Sequence, residues 1–161
     1  MSLDPNDYLL INGIGATPKS SLRNDIELSY KTLGFQFISV ISSHACISDH
    51  AVIGQSVQIM PGAIINPGCK ISDNVIVNSG AVIEHDCLIG EQCHIAPRAV
   101  LCGGVTLGKR VYVGANSTII QGMNIPDKTI VGAGVVINKP FKGNTIFYPA
   151  RPYMRRMEDD N

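Results

Sequence analysis

The sequence predicts an all-β fold, a solenoid built of hexapeptide repeats, and two observations carry this prediction. An aliphatic residue recurs at every sixth position from residue 41 to residue 137 without a slip. Over most of this stretch a small or apolar residue stands two positions before each aliphatic one. Such a regular period identifies a repeat architecture. The aliphatic series consists of Ile41, Ile47, Ile53, Ile59, Ile65, Ile71, Val77, Ile83, Ile89, Ile95, Leu101, Leu107, Val113, Ile119, Ile125, Val131 and Ile137.

Each repeat of six residues is predicted to form one short strand and one turn, and three repeats close a triangular coil. The aliphatic side chain points into the prism, and the residue two places earlier shares the interior, because side chains alternate along a strand. Residues 18 apart then stack about 4.8 Å above one another. Residues 41–137 give about five and a half coils. The handedness of the coil does not follow from the spacing, since such short connections lack the helical crossover of ordinary parallel sheets.

Residues 8–40 precede the repeat and are predicted to form a strand, a helix and a second strand. The first strand is Tyr8–Asn12, Ser20 or Ser21 caps the helix, and Phe35–Val40 is the second strand. A unit of this size buries little apolar surface alone, so we expect it to dock on the first coil. The apolar stripe of the helix consists of Leu22, Ile26, Tyr30 and Leu33.

Composition and charge exclude several classes of function. The formal net charge is zero, which gives no indication of nucleic-acid or acidic-membrane binding. No apolar run approaches the ~20 residues of a membrane span, and the polar, acidic first residues are unlike a secretory signal. We therefore expect a cytoplasmic protein. Of five cysteines, Cys69, Cys87 and Cys93 fall at inward positions, which favours buried reduced thiols over a zinc site.

His85 is the strongest candidate for chemistry in the repeat. It lies in Glu84-His85-Asp86, just past the inward Ile83 and so at a corner of the coil. A flanking carboxylate holds an imidazole in one tautomer and suits it to act as a general base. Gly103 follows 18 residues later, one coil away, where its N–H could face an oxyanion.

The other histidines differ in their expected roles. His94 is nine residues from His85, half a coil around the prism, so the two imidazoles are not expected to meet within one chain. A site that used both would lie between two subunits, and the sequence predicts an oligomer wherever it predicts catalysis. His44 and His50 lie in the entry coil and are expected to be structural or surface residues.

Two further features of the sequence leave alternatives open. The isolated Gly13-Ile14-Gly15 lacks the third glycine of a dinucleotide fingerprint, so it indicates either a plain turn or a weak nucleotide signal. The basic tail after Pro140 is either a solvated end or a clamp for a phosphorylated ligand. The cations that make this end basic are Lys139, Lys142, Arg151, Arg155 and Arg156.

Three segments carry a family resemblance: Asn78–Gly90 (NSGAVIEHDCLIG), His94–Pro97 (HIAP) and Leu101–Val105 (LCGGV). Together with the repeat they resemble the left-handed β-helix acyltransferases. Within these, they are similar to the bacterial sugar acetyltransferases of sialic acid O-acetylation and of bacillosamine and perosamine N-acetylation. The resemblance implies a left-handed coil, a homotrimer with active sites between subunits, acetyl-CoA as the acetyl donor, and no metal.

The resemblance also implies roles for individual residues. His85 would deprotonate the sugar amine or hydroxyl, and Asp86 would support it, so these two are the expected catalytic residues. The transfer would be direct, in a ternary complex, with no acyl-enzyme on Cys102. His94 would lie near the acetyl thioester and Gly103 would donate to its oxygen. Further residues expected to bind CoA are Gly114, Ala115, Gly132, Ala133 and Arg151. Those expected to contact the acceptor are Asn78, Glu84 and Gly13.

The chain is expected to divide into three parts. Residues 1–40 form a truncated α/β segment, 41–139 the left-handed β-helix domain, and 140–161 a tail over the CoA end. Members of the family usually begin with a complete Rossmann-like domain whose glycine turn binds a nucleotide, and only the later strand–helix–strand matches here. The resemblance therefore predicts the acyl-transfer site but does not predict the nucleotide-binding glycine turn.

Two other functions compete with an acetyltransferase. A zinc carbonic anhydrase on the same solenoid needs three converging histidines, two of them five residues apart, and the gaps here are 6, 35 and 9. A non-catalytic scaffold or regulatory subunit is favoured by the shortened N-terminal part and opposed by the set His85, Asp86, His94 and Gly103. Within the main hypothesis, an amine acceptor on a nucleotide-linked sugar is favoured over a hydroxyl.

Overall fold

The computed structural model describes residues 3–18, 20–143 and 145–149, and it confirms the predicted β-solenoid. The chain begins with β1 (Leu9–Leu10), helix α1 (Leu22–Thr32) and β2 (Gln36–Phe37). Two-residue strands then follow at six-residue intervals, and each ends on a member of the aliphatic series. These strands are β3 (Val40–Ile41), β4 (Cys46–Ile47), β5 (Val52–Ile53), β6 (Gln58–Ile59), β7 (Ile64–Ile65), β8 (Lys70–Ile71), β9 (Ile76–Val77), β10 (Val82–Ile83), β11 (Leu88–Ile89), β12 (His94–Ile95), β13 (Val100–Leu101), β14 (Thr106–Leu107), β15 (Tyr112–Val113), β16 (Thr118–Ile119), β17 (Asn124–Ile125), β18 (Ile130–Val131) and β19 (Val136–Ile137), followed by β20 (Ile146–Phe147).

The strands form three parallel sheets, which are the three faces of a prism. Face 1 has seven strands, face 2 has six and face 3 has five. The register between neighbouring coils is 18 residues, as in the pair Val82 and Val100. Face 1 contains β3, β6, β9, β12, β15, β18 and β20; face 2 contains β4, β7, β10, β13, β16 and β19; face 3 contains β5, β8, β11, β14 and β17.

The core is the interior of the prism. From Ile59 to Ile137 the aliphatic series is buried, and Cys69, Cys87 and Cys93 are buried beside it as predicted. The first coil differs, because Ile41 is 47% exposed. No earlier coil stacks against β3, so this inward position lies at the open end of the prism rather than in a closed interior.

The prediction that the apolar stripe of α1 forms its buried face is wrong. Leu22, Tyr30 and Leu33 are exposed, and the helix instead buries Arg23 and Glu27. The buried Glu27 meets a polar group of the solenoid, since it accepts a hydrogen bond from Ser56. Ser21 precedes the helix but does not cap it through its side chain, and its hydroxyl donates to Asp25 Oδ2 at 2.6 Å.

The N-terminal segment docks along face 1 and is not confined to the first coil. The Ser56 hydroxyl donates to Glu27 Oε2 at 3.1 Å, and Gln58 donates to the carbonyl of Asn12 at 2.5 Å. Gln58, Ile76 and His94 point outward from face 1 and are nevertheless buried, because this segment covers them. β1 and β2 pair in parallel beside α1. The segment thus turns the outer side of face 1 into an interior surface.

The repeat ends as predicted at Pro140, but the chain then rejoins face 1. β20 pairs with β18, and Ile130 opposes Ile146, which is 16 residues later and so outside the register of the coils. The rings of Phe141 and Phe147 meet edge to face with centroids 4.6 Å apart. None of the helices in the described part of the chain is long and apolar enough to cross a membrane.

Candidate active site

The side chains of His85 and Asp86 lie within hydrogen-bond distance at the corner between faces 2 and 3. The turn between β10 and β11 carries both residues, and Nδ1 of His85 lies 2.9 Å from Oδ2 of Asp86. Because the carboxylate can only accept, it fixes the proton on Nδ1 and leaves Nε2 as the free end of the ring. Both side chains are largely exposed in the single chain. The predicted contact between imidazole and carboxylate is present.

Two glycines leave room for the side chains of His85 and Asp86. Gly103 lies one coil further along the axis, and a Cβ built on it would approach His85 Nε2 to 2.5 Å. Gly68 lies one coil before Asp86 with φ of +77°, and a Cβ there would overlap Asp86 Oδ1. The Gly103 amide donates to no acceptor among the described residues, while Gly104 donates to the His85 carbonyl at 2.9 Å. The residue that the imidazole approaches thus has a backbone N–H without an acceptor among the described residues.

His94 lies in a different environment. It projects outward from β12 on face 1 and stacks on Tyr112, with ring centroids 4.9 Å apart and planes within 4°. It is 7% exposed. Burial, and next the positive charge of Arg23, lower the pKa of His94 to about 4, so this imidazole is neutral at pH 7. Its Nδ1 has no partner among the described residues.

The structure keeps the predicted site residues of one chain apart. His85 and Gly103 lie at the corner between faces 2 and 3, and His94 lies on face 1 under the N-terminal segment. Ala115 and Ala133 lie at the corner between faces 1 and 2, where Gly134 donates to the Ala115 carbonyl at 2.8 Å. The expectation that the two imidazoles do not meet within one chain agrees with this arrangement.

Gly114 and Gly132, expected to flank the pantetheine arm, have a structural reason to be glycine. A Cβ on Gly114 would lie 2.6 Å from the backbone of Gly132 and Ala133, and one on Gly132 would lie 2.6 Å from the Phe147 carbonyl. The close approach of the next coil to Gly114, and of β20 to Gly132, therefore accounts for both residues.

The residues expected to contact the acceptor are dispersed. Asn78 Oδ1 accepts from the Ser79 amide at 2.8 Å, and Glu84 Oε2 accepts from Asn66 at 3.0 Å. Gly13 lies in the N-terminal segment, has room for a Cβ and needs no left-handed backbone, which fits an ordinary turn. Arg151, expected at the CoA end, lies outside the described residues.

A set of residues around His94 was not found from the sequence. Arg23 and Asn74 line a cavity of about 280 Å³ together with His94 and Tyr112. The 18-residue spacing of Asn74, Gln92 and Arg110 was visible in the sequence, but Arg23 comes from a separate segment whose docking no repeat predicts. Burial lowers the pKa of Arg23, and the carboxylate of Glu27 partly offsets this.

Among the described residues, neither the cysteines nor the potential metal ligands form a second reactive or metal site. Burial raises the pKa of Cys87 and of Cys93 to about 12, and it raises the pKa of Cys69 as well. Cys102 is half-buried, and its carbonyl accepts from Cys87 Sγ at 3.3 Å. Within the described ranges, no cluster of three or more His, Cys, Asp or Glu side chains could hold a metal ion.

Comparison with protein families and solved structures gives consistent matches to this fold. The model of the GMPPB C-terminal domain family matches residues 38–137. Curated protein sequences gave no significant match. Among solved structures, the acetyltransferase domain of PglB from Neisseria gonorrhoeae superposes with a TM-score of 0.83 at 30% identity, over 94% of this chain and 74% of that chain.

Two of the matching structures contain bound ligands. The same PglB domain in complex with acetyl coenzyme A matches with a TM-score of 0.75 at 32% identity, over 86% of this chain and 68% of that one. A mutant GDP-perosamine N-acetyltransferase from Caulobacter crescentus, in complex with CoA and GDP-perosamine, matches with a TM-score of 0.75 at 32% identity, over 84% and 66% of the two chains. The solenoid is the left-handed β-helix of these proteins.

Proposed function

Because this chain belongs to the hexapeptide-repeat sugar acetyltransferases, and its repeats to the GMPPB C-terminal domain family, we propose that it acetylates a sugar amine with His85 as the base. The protein is an acyltransferase that uses acetyl-CoA as its acetyl donor. The single observation that carries the proposed role of His85 is its geometry, with Nδ1 held 2.9 Å from Asp86 and Nε2 beside Gly103.

The residues present fit an acetyl thioester. The imidazole of His85 occupies the space that a Cβ on Gly103 would take, and the Gly103 amide is an unused donor. Bound acetyl-CoA supplies the acetyl group as an activated thioester. The Gly103 N–H stabilises the negative charge that develops on the acetyl oxygen, as in an oxyanion hole. Ala115 and Ala133 have small, uncharged side chains and leave room for the extended pantetheine arm of CoA.

His85 moves the proton in the transfer. Its Nε2 accepts a proton from the acceptor amine as the amine nitrogen bonds to the acetyl carbon. As the bond between carbon and sulfur breaks, His85 returns the proton to the departing sulfur, and the products are an amide and a free thiol. Asp86 acts through His85 as a positioning residue, since its carboxylate holds Nδ1–H. Cys102 has no part in this direct route.

We assign the acceptor to the amino sugars carried on a nucleotide. The support is that a GDP-perosamine N-acetyltransferase matches at 32% identity and binds CoA and GDP-perosamine together. A hydroxyl acceptor is the alternative within the same mechanism, because His85 would deprotonate either group.

The proposed active site lies between subunits of a homotrimer. His85 and His94 lie at separate positions on the prism, so one ligand reaches both only if they come from two chains. The outward column of face 2 supports such a contact, since it is uncharged and partly apolar and a single chain leaves it in water. This column consists of Cys46, Ile64, Val82, Val100, Thr118 and Val136.

The first experiment measures thiol release from acetyl-CoA with a panel of nucleotide-linked amino sugars and free sialic acids. We expect turnover on an amino sugar, and a loss of at least about 10²-fold in kcat for His85→Ala. His50→Ala is the matched control, because His50 is also exposed on the solenoid and is not part of the proposed site. Turnover that survives in His85→Ala would reject His85 as the base.

Mixed trimers test the position of the site. His85→Ala and His94→Gln chains, each poorly active alone, are unfolded together and refolded as a mixture. If each site takes one histidine from each of two neighbours, every mixed trimer contains one intact site and activity returns. Activity that stays at the level of the separate variants, in a mixture shown by mass spectrometry to contain mixed trimers, would place both histidines in one chain's site.

A further inference from the structure

A cavity of about 280 Å³ lies between the start of α1 and the outer side of face 1. This volume is just below the ~300–1,000 Å³ typical of small-ligand sites. The loop around Thr17 and Ser20 forms one wall, and the corner between faces 3 and 1 forms the other. His94 and Tyr112 line it as well, so the cavity adjoins the proposed active site without containing His85.

The wall on the solenoid carries two unpaired cations. Arg110 and Lys128 are 18 residues apart and so occupy the same corner position on successive coils, about 4.8 Å apart along the axis. Both have a left-handed backbone with φ of 58°, and both are exposed at the cavity. Neither pairs with a carboxylate among the described residues. No Asp or Glu belongs to the described lining of the cavity.

The opposite wall is the N-terminus of α1, an 11-residue helix. The amides of Arg23 and Asn24 in its first turn donate to no acceptor in the described part of the chain. Unsatisfied amides and the helix dipole both favour an anion at such an end. Two cations of the solenoid therefore face the positive end of a helix across one cavity.

Arg23 supplies a buried positive charge at the same place. It is 7% exposed, and its Nη1 donates at 2.7 Å to the carbonyls of Asn12 and Ile14. Its Nε and Nη2 have no partner among the described residues. Glu27 does not neutralise it by direct contact, since this carboxylate binds Lys31 at 2.7 Å and the Ser56 hydroxyl. A buried guanidinium with unused donors is costly, and an anion in the cavity would offset that cost.

We propose that this cavity binds the diphosphate group of a nucleotide, held by Arg110, Lys128 and the first-turn amides of α1, in the field of Arg23. A diphosphate has oxygens on both sides, so it can accept from the solenoid wall and from the helix wall at once. The choice of nucleotides as probes rests on the proposed function, because both the nucleotide-linked acceptor and CoA carry this group.

The test is isothermal titration calorimetry on the full chain at low salt, with inorganic pyrophosphate, GDP, UDP and CoA as separate probes. The Arg110→Gln/Lys128→Gln double variant should raise the Kd for pyrophosphate by about tenfold or more. Arg98→Gln is the matched control, since Arg98 is an exposed arginine with the same φ of 58° outside the cavity. Added salt should weaken binding to the parent chain more than to the double variant.

The probes distinguish whether the diphosphate bound in the cavity belongs to the acceptor nucleotide or to CoA. Binding of GDP or UDP that the double variant weakens assigns the cavity to the acceptor, and weakened binding of CoA alone assigns it to the donor. Absence of pyrophosphate binding, or an equal Kd in parent and double variant, overturns the proposal. Acetyl transfer is measured separately. A chain that binds pyrophosphate in this way but transfers no acetyl group retains the site and loses the proposed function.

Discussion

The imidazole of His85 lies against the Cα of Gly103, a residue 18 positions later in the chain and one coil further along the prism. A Cβ at Gly103 would come within 2.5 Å of Nε2. The side chain that is proposed to move the proton and the backbone amide that is proposed to bind the acetyl oxygen are thus placed by the repeat itself. The imidazole of His85 fits against Gly103 because Gly103 has no Cβ.

Gly103→Ala should therefore reduce activity without unfolding the protein. Gly103 has no left-handed φ, so alanine adds a steric effect and little backbone strain. The new methyl group forces the imidazole away from its position, and we expect kcat to fall by about tenfold or more, since displacement of about 1 Å can cost about 10². Steady-state kinetics and a thermal melt measure this. Gly15→Ala, where a Cβ meets open space, should leave both unchanged.

Asp86→Asn should lower kcat with little effect on the KM values of the two substrates. The carboxylate contacts His85, and in the proposed mechanism it acts only through that ring, so its removal should impair the orientation of the base without weakening binding. The expected loss is smaller than the ~10²–10⁴ contributed by a positioned general base. Asparagine accepts the left-handed backbone at φ of 59°, so the fold should persist. A large rise in KM with kcat unchanged would show that Asp86 contacts a substrate instead.

His94 should make the stability depend on pH. Its folded pKa of about 4 lies below the ordinary value of 6.5, so between these values the unfolded chain binds more protons. Stability is therefore highest above pH 6.5 and falls toward pH 4, by up to about 3 kcal/mol if the full shift applies. Urea unfolding at pH 7.5 and pH 5 measures this. His94→Gln should flatten the dependence, whereas the same slope in His94→Gln and in the parent would contradict the assignment.

Ile95→Ala and Ile41→Ala should reduce the free energy of unfolding by different amounts, although both residues occupy the same place in the repeat. Ile95 is fully buried in the prism, and its truncation should cost about 2–5 kcal/mol. Ile41 lies at the open end of the first coil, and its truncation should cost less than about 1 kcal/mol. Chemical denaturation of both variants at equal protein concentration compares them. Equal losses would mean that the first coil is covered.

The thiols should react in two classes with Ellman's reagent at pH 8. Cys46, which is exposed in the single chain, and the half-buried Cys102 should react before unfolding, and the proposed subunit contact on face 2 should slow Cys46. Cys69, Cys87 and Cys93 are buried, and burial raises the pKa of each, so they should stay protected until the protein unfolds. In denaturant all five cysteines should react. Rapid modification of a Cys46→Ser/Cys102→Ser variant in native buffer would show that the prism opens.

The repeat alone predicted the solenoid, the 18-residue register and the stacking of Gly103 on His85. These follow from the sequence because every contact involved is local or lies one coil away, so a period fixes it. The contact of His85 with Asp86 was predictable for the same reason, since the two residues are neighbours at a corner.

The docking of the N-terminal segment depended on the tertiary structure. The sequence pattern favoured burial of Leu22 and Leu33, yet the helix buries Arg23 and Glu27. One reason is that Ser56 of the solenoid donates a hydrogen bond to Glu27. The neutral state of His94 and the cavity beside it arise from this packing. They join residues far apart in the sequence, and no periodicity within either segment specifies how two surfaces meet.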